Sequence, residues 1–367
     1  MKYFSCFSGI GGFELAIQRA FDKQLATIEQ DRQGRDRPTN EMESNVLPAS
    51  WNAPLCVGYS EIDKYAIKVY ERNFNELRQN KDKSADSTDS EGGTPQLSRR
   101  SLHRAYGDIT KINADELPDF NCLVGGFPCQ AFSIAGKRKG FDDTRGTLFF
   151  DLARILRAKQ PRLFVFENVK GLLSHDNGNT FRTIIATIDE LGYDCQWQVL
   201  NSKNHGVPQN RERVIIVGHL RGTPRPKVFP ITETNRTTNE GFGTQNTPGK
   251  IASTVRSRYG NGTGSHIVAP VLTPDRLNKR QNGRRFKEDG EPSFTLNTQD
   301  RHGIYDGMKI RRLTPVECER LQGFPDNFTA LGVGDEPISD SQRYKMCGNA
   351  VTTNVIRDVF ERILSSN

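Results

Sequence analysis

A chain of 367 residues is long enough to bury one large α/β core and a smaller second domain without disulfide staples. Only 35% of it is hydrophobic, and no run approaches the roughly 20 apolar residues that span a bilayer, so a helical membrane protein is excluded and a soluble chain is expected. The formal charge of +7 is concentrated: residues 221–312 hold 17 Lys/Arg against 8 Asp/Glu, as a phosphate-facing surface would, or as a plain solvated basic face would.

The opening stretch KYFSCF at 2–7 predicts a buried strand, followed by glycines and a helix from Gly12 to about Phe21. It lacks the basic region, long apolar segment and cleavage site of a signal peptide, so a cytoplasmic location is expected. A second strand–turn–helix unit falls at 56–73, where CVGYSEID precedes KYAIKVYERNF, and another at 121–156, where NCLVGG leads through a long loop into TLFFDLARIL. GDIT at 107–110 ends a further strand. RLFVFENV at 162–169 precedes a helix near 179–191, and CQWQVL at 195–200 with RVIIVGHL at 213–220 closes the series as a pair of strands. Such alternation specifies an α/β fold, a mainly parallel doubly wound sheet with helices on both faces.

Two polar stretches, 22–54 and 75–104, interrupt this rhythm and read as surface insertions. From about 221 to 310 the alternation gives way to Gly, Thr, Asn and Arg with short apolar pieces, which marks a second domain. The helical pattern at 350–364 returns to the first. The boundaries expected are 1–219 with 343–367 for the first domain, and 220–342 for the second. Seven cysteines, Cys6, Cys56, Cys122, Cys129, Cys195, Cys318 and Cys347, form an odd set without CxxC or zinc spacing, so reduced thiols and no metal are expected.

The loop FSGIGG at 7–12 lies between a strand and a helix, where glycines admit a ligand to the backbone and to the helix N-terminus; a tight turn without a ligand is the other reading. It is not the GxGxxG dinucleotide fingerprint, which argues against a dehydrogenase. Glu61, at the end of the second strand, is placed to accept ribose hydroxyls, and Asp108 lies on the same edge; each alone could be a helix cap. Together they outline an adenosine site. Cys129 follows Pro128 in a glycine-flanked loop after a strand, the ligand-binding edge of such sheets. Glu167 ends the next strand, where an acid is costly unless used or satisfied as a cap. Arg211 and Arg213 stand two apart at a strand start, hence on one face, suited to anion binding or carboxylate pairing.

These residues closely resemble, in order and along most of the chain, the motifs of bacterial DNA (cytosine-5) methyltransferases: FSGIGGFELA (7–16), SEIDKYA (60–66), GDIT (107–110), GFPCQAFSIAG (126–136), GTLFFDLARIL (146–156), FENVKGL (166–172), VPQNRERV (207–214), RLTPVECERLQGFPD (312–326) and YKMCGNAV (344–351). The resemblance implies a Rossmann-like class I methyltransferase domain with a mixed sheet and a smaller target-recognition domain. It implies S-adenosylmethionine as cofactor, with S-adenosylhomocysteine as product, held by Phe7, Gly9, Gly11, Gly12, Glu61, Ile62, Asp108, Ile109, Pro128, Leu148, Asn349 and Ala350. Ile62 stands where many members carry a tryptophan. Cys129 would be the nucleophile, Glu167 would hold the cytosine ring nitrogen and amino group, and Arg213, beside Arg211, would help hold the base. The substrate implied is double-stranded DNA with a flipped-out cytosine, contacted by Gln130, Ser133, Lys137, Arg138 and Arg145, with Gly136 and Gly140 as loop hinges. The resemblance further implies pairing with a restriction endonuclease and a monomeric enzyme. An RNA cytosine-5 methyltransferase on the same scaffold and a non-catalytic DNA-binding homologue are the rival readings. The basic segment and the intact Cys129, Glu167 and Arg213 speak against them.

Overall fold

A computed structural model describes residues 1–33, 53–76, 103–128, 148–232, 269–275, 284–305 and 309–365. Its centre is a six-stranded sheet of β1 (Lys2–Cys6), β2 (Leu55–Ser60), β3 (Cys122–Gly126), β4 (Leu163–Val169), β5 (Tyr193–Asn201) and β6 (Glu212–Leu220). The strand order is β2-β1-β3-β4-β6-β5. β6 pairs antiparallel with both β4 and β5, and the β2, β1, β3 and β4 pairings are parallel. The sheet is therefore mixed, as expected, with one reversed strand.

Both faces of this sheet are buried, which the alternation of side chains along each strand dictates. Phe4, Leu123, Phe164, Phe166 and Ile216 point to one side, against Phe149, Leu152 and Leu156 of α3 (Leu148–Lys159) and Ile184 and Ile188 of α4 (Asn179–Glu190). Tyr3, Val124, Val165, Ile215 and Val217 point to the other, against Phe13 and Ile17 of α1 (Gly12–Gln33) and Val355, Val359 and Phe360 of α7 (Thr353–Ser365). α2 (Lys64–Glu71) follows β2 and is capped by Asp63, whose carboxylate accepts from the Tyr65 and Ala66 amides.

Several expectations change. The first helix does not stop near Phe21 but runs to Gln33, because its polar second half is built of good helix formers and is held by α7: Lys23 pairs with Glu361, and Gln24 donates to the Leu364 carbonyl. The strand before Asp108 shrinks to a bridge between Tyr59 and Ala105 at the edge of β2. The basic segment contains a separate three-stranded antiparallel sheet, β7 (Ala269–Leu272), β8 (His302–Tyr305) and β9 (Ile310–Arg312). Residues within the span expected for the second domain, 220–342, also pack on elements of the first. Val228 and Ile231 bury in the α1–α7 face of the first sheet. Phe324 and Ile338 bury against Ile10, Ala66 and Val69; α5 (Pro315–Leu321) packs Cys318 and Leu321 with Ile304 of β8, and α6 (Asp340–Asn349) places Cys347 in that cluster and Met346 in the one around Ile10. Apolar surface decides these contacts, and chain order does not reveal which surface each residue meets. The insertion expected over 75–104 leaves and re-enters at one point, since the Asn75 amide donates to the His103 carbonyl and accepts from its N–H.

His302 on β8 is buried, at 6% exposure, and neither ring nitrogen has a hydrogen-bond partner. Burial, reinforced by Arg312 and Arg211, holds its pKa down to about 4. The unfolded chain therefore takes up a proton near pH 6.5 that the folded one refuses until about pH 4, so stability falls as pH drops through that window. Urea unfolding at about pH 7.5 and about pH 5 should show a loss of about 2 kcal/mol attributable to this group, and His302→Phe should remove that share of the slope. An identical slope in the variant would contradict it.

Candidate active site

The carboxyl ends of β1, β3 and β4 meet at one edge, and β6, running the opposite way, brings its first residues to the same edge. Gly126, the last residue of β3, lies opposite Glu167, and Val169 lies opposite Arg213. The Arg213 Nε donates to Glu167 Oε1 at 2.8 Å, with both side chains largely buried. Glu167 caps no helix; the turn that follows, Lys170–Leu173, has Val169 at its N-cap and no side-chain cap. Its second oxygen faces the start of the Cys129 loop closely enough that a Cβ on Gly126 would stand 3.2 Å from it.

Asn168, the residue after Glu167, is buried and donates to the Phe127 carbonyl at 2.9 Å. This bond fixes the backbone two residues before Cys129. Pro128 is exposed and is the last described residue of that loop. Cys129, Gln130, Ser133, Gly136, Lys137, Arg138, Gly140 and Arg145 lie outside the described residues.

A cleft next to Glu167 is lined by Phe7–Ile10, Gly12, Phe13, Gly126 and Asn349–Val351. The loop on its floor is held in an unusual backbone path, with positive φ at Phe7, Gly9 and Gly11. Gly11 admits no substitute, because at φ +89° a Cβ would also enter the Phe74 ring. The Gly9 N–H donates to Glu61 Oε2 at 2.8 Å, and the Ile62 and Asp63 amides donate to Oε1. Glu61 thus joins the ends of β1 and β2 and keeps its carboxylate at the cleft's outer rim. Beside it Ile62 is 74% exposed, a large apolar side chain with a free face at the same rim. Asp108 takes up the cap reading, accepting from the Thr110 amide and hydroxyl; those bonds hold its carboxyl below the usual range. Ile109 is buried beneath it. Leu148 opens α3 and packs half-buried on the same core cluster as Phe7.

The opposite wall of the cleft ends α6. Asn349 is exposed there and Ala350 is buried. Lys345, one turn earlier, pairs with Asp63 at 2.6 Å and so joins α6 to the Glu61 turn. The expectation that Arg211 and Arg213 share one working face is corrected. Arg211 precedes β6, is 2% exposed, and donates to the carbonyls of Leu296, Gly348 and Ala350, whereas Arg213 alone reaches Glu167. Burial lowers the Arg211 guanidinium's pKa to about 9, so it stays charged at neutral pH, where those three acceptors solvate it. Asn168, Lys345 and the buried Gln209 and Gln322 beside Arg211 escaped the sequence reading, although FEN and QNR contained two of them.

The site thus combines a glycine-lined cradle, a carboxylate held by an arginine, and a loop start pinned by an amide. Asn168→Leu leaves the Phe127 carbonyl buried without a donor and should lower the unfolding free energy by about 1–3 kcal/mol in urea titrations. Unchanged stability would mean that this bond does not anchor the loop.

The model of C-5 cytosine-specific DNA methylases matches residues 51–365. The chain is 38% identical to the type II methyltransferase M1.ScrFI of Lactococcus lactis subsp. cremoris, over 83% of this chain and 71% of that one. It is 34% identical to the orphan methyltransferase M.SPRI of Bacillus phage SPR, over 84% and 91% of the two chains. Among solved structures the fold is similar to that of Schizosaccharomyces pombe Dnmt2 methyltransferase, with a TM-score of 0.60, 17% identity, and coverage of 100% of this chain and 98% of that one.

Proposed function

Because the chain belongs to the C-5 cytosine-specific DNA methylase family and is a DNA cytosine-5 methyltransferase, we propose that it flips a target cytosine out of the duplex and attacks it with Cys129. The observation that carries this reading is the Glu167–Arg213 pair beside the start of the Cys129 loop, next to the glycine cradle.

The cradle fits S-adenosylmethionine. Its floor follows a positive-φ path that brings backbone, not side chains, to the cleft, and Gly126 leaves open the space toward Glu167 that a Cβ would narrow. Phe7, Gly9, Gly11 and Gly12 line or shape it; Glu61 would hold the ribose, Ile62, Asp108 and Ile109 would hold the adenine, and Asn349 and Ala350 would complete the site near Glu167. Bound there, the cofactor supplies an electrophilic sulfonium methyl. Pro128 and Leu148 border the same pocket.

Carbon 6 of cytosine is electron-poor. The Cys129 thiolate forms a bond to it, and electrons move toward the ring nitrogen, where Glu167 donates or shares a proton and relieves the negative charge. Arg213 keeps the Glu167 carboxyl oriented and faces the base. Carbon 5, now enamine-like, would take the methyl as its bond to the sulfonium breaks and S-adenosylhomocysteine leaves; a base then takes the carbon-5 proton, the C–H electrons restore the 5,6 double bond, and the Cys129 sulfur leaves with its bonding electrons. A stacked cytosine cannot meet both groups, which is why the base must leave the duplex.

Gln130, Ser133, Lys137, Arg138 and Arg145 would contact the DNA around the flipped base, and the domain carrying β7–β9 with the surrounding basic segment would read the sequence from the opposite groove. The curated relatives include both type II and orphan methyltransferases; pairing with a restriction endonuclease is the setting proposed for this chain, acting as a monomer in the cytoplasm. Among the described residues no helix is long and apolar enough to cross a membrane.

Cys129→Ala should abolish methylation while leaving S-adenosylhomocysteine binding nearly unchanged by calorimetry, and full activity in that variant would sink the mechanism. A duplex with 5-fluorocytosine at the target, identified by bisulfite sequencing, should trap the wild-type enzyme in a complex stable to denaturant, because fluorine does not leave as a proton does. Glu167→Gln should lower kcat by at least about a hundredfold with a smaller change in KM for DNA.

A further inference from the structure

Residues 293–298 lie a few positions before β8 and are gripped on both sides by the catalytic domain. On one side they run along 208–211: Gln209 and Ser293 form a parallel bridge, the Ser293 N–H donates to the Pro208 carbonyl, and the Thr295 hydroxyl donates to the Asn210 carbonyl. The peptide groups of Leu296 are both taken by buried side chains, its N–H by Gln209 Oε1 at 2.8 Å and its carbonyl by Arg211 at 2.6 Å. On the other side the backbone of Gly348 rests on Asn297 so closely that a Cβ would stand 2.7 Å from the Asn297 carbonyl carbon.

Arg211 closes this arrangement. The same guanidinium that holds Leu296 donates at 3.2 Å to the Gly348 carbonyl and at 2.9 Å to that of Ala350, on either side of Asn349 in the cofactor cleft. Gln322 reinforces the far side, donating to the carbonyls of Cys347 and Ala350 and accepting from the Gln209 amide and the Thr352 hydroxyl. One cation therefore sets the spacing between the strap that leads into β8 and the wall of the cleft. Moving either carbonyl set leaves a buried charge short of acceptors, so the two must move together.

Resting on the functional reading above, we infer that Arg211 is a positioning residue that makes cofactor binding and DNA binding mutually dependent. DNA held by the β7–β9 domain fixes 293–298, Arg211 passes that order to Gly348–Ala350, and the cleft closes better on the cofactor. Linkage requires the reverse with the same factor.

The test uses the full chain, S-adenosylhomocysteine and a short duplex containing the methylated site. In the wild-type enzyme each ligand should lower the Kd of the other about tenfold. Arg211→Lys keeps the charge but cannot reach three carbonyls, and it should leave each separate Kd within about threefold while cutting the mutual effect below about twofold. Hydrogen exchange on the wild-type protein decides the matter even where the variant fails to fold: S-adenosylhomocysteine alone should slow exchange of the Leu296 and Thr298 amides. Equal coupling in wild type and variant, or no protection at these amides, overturns the inference. Failure of the wild-type enzyme to bind S-adenosylhomocysteine or to methylate DNA overturns the functional reading instead.

Discussion

A guanidinium buried to 2% exposure must be surrounded by acceptors, and in this protein that requirement organises the junction of four chain segments. Arg211 draws in Leu296, Gly348 and Ala350, while Gln209 and Gln322, both fully buried, tie in Leu321 and Cys347. Two of these segments are irregular and the other two are helix ends, with Leu321 closing α5 and Cys347 and Gly348 in the last turn of α6. Their backbone groups would be costly to bury without partners, so the side-chain amides and the guanidinium substitute for a ladder. The cleft wall at Asn349–Val351 is tied to this polar cluster through the carbonyls of Gly348 and Ala350, although the Arg211 Nε itself has no partner.

The chemistry edge rests on a second constraint, the reversal of β6. In a parallel sheet the carboxyl ends gather on one side, which brings Gly126 at the end of β3 opposite Glu167. A strand starting at that edge must run the other way, and β6 does, so a residue near its beginning can pair with one near the end of β4. Arg213 is that residue. Alternation alone would place Arg211 and Arg213 on one face, but Arg211 lies before the strand and is buried among carbonyls: one arginine orients a carboxylate, the other holds backbone.

The glycine-lined cleft is assembled from residues far apart in the chain. α1 and α7 pack against each other over the sheet, with Arg19 donating to the Gly323 carbonyl and the Thr353 hydroxyl. This returns the final helices to the first strand, and Lys345 then reaches Asp63 across the cleft rim. An exposed ion pair of this kind adds little stability, about 0–1 kcal/mol, but it fixes α6 relative to the Glu61 turn. Asn75 and His103 join the two described ends that flank the second polar stretch, and α1, running from Gly12 to Gln33, packs along α7.

The β/α alternation, the buried strands and the closing pair of strands were legible because a two-residue period with apolar residues on both faces has few other solutions. Glycines at 9, 11 and 12, Glu61, Glu167 and Arg213 were legible as well, since each sits where a strand ends or begins. The amino-acid order by itself therefore determined the sheet, its active edge and the residue types available there for methyl transfer to cytosine. Only the tertiary structure decided how far α1 extends, that Val228 and Ile231 bury against the first sheet, that Asp108 caps a turn, and that Arg211 binds three carbonyls. Those outcomes depend on which distant surface or buried carbonyl a side chain meets, and burial and hydrogen-bond satisfaction are properties of the folded whole that local sequence does not carry.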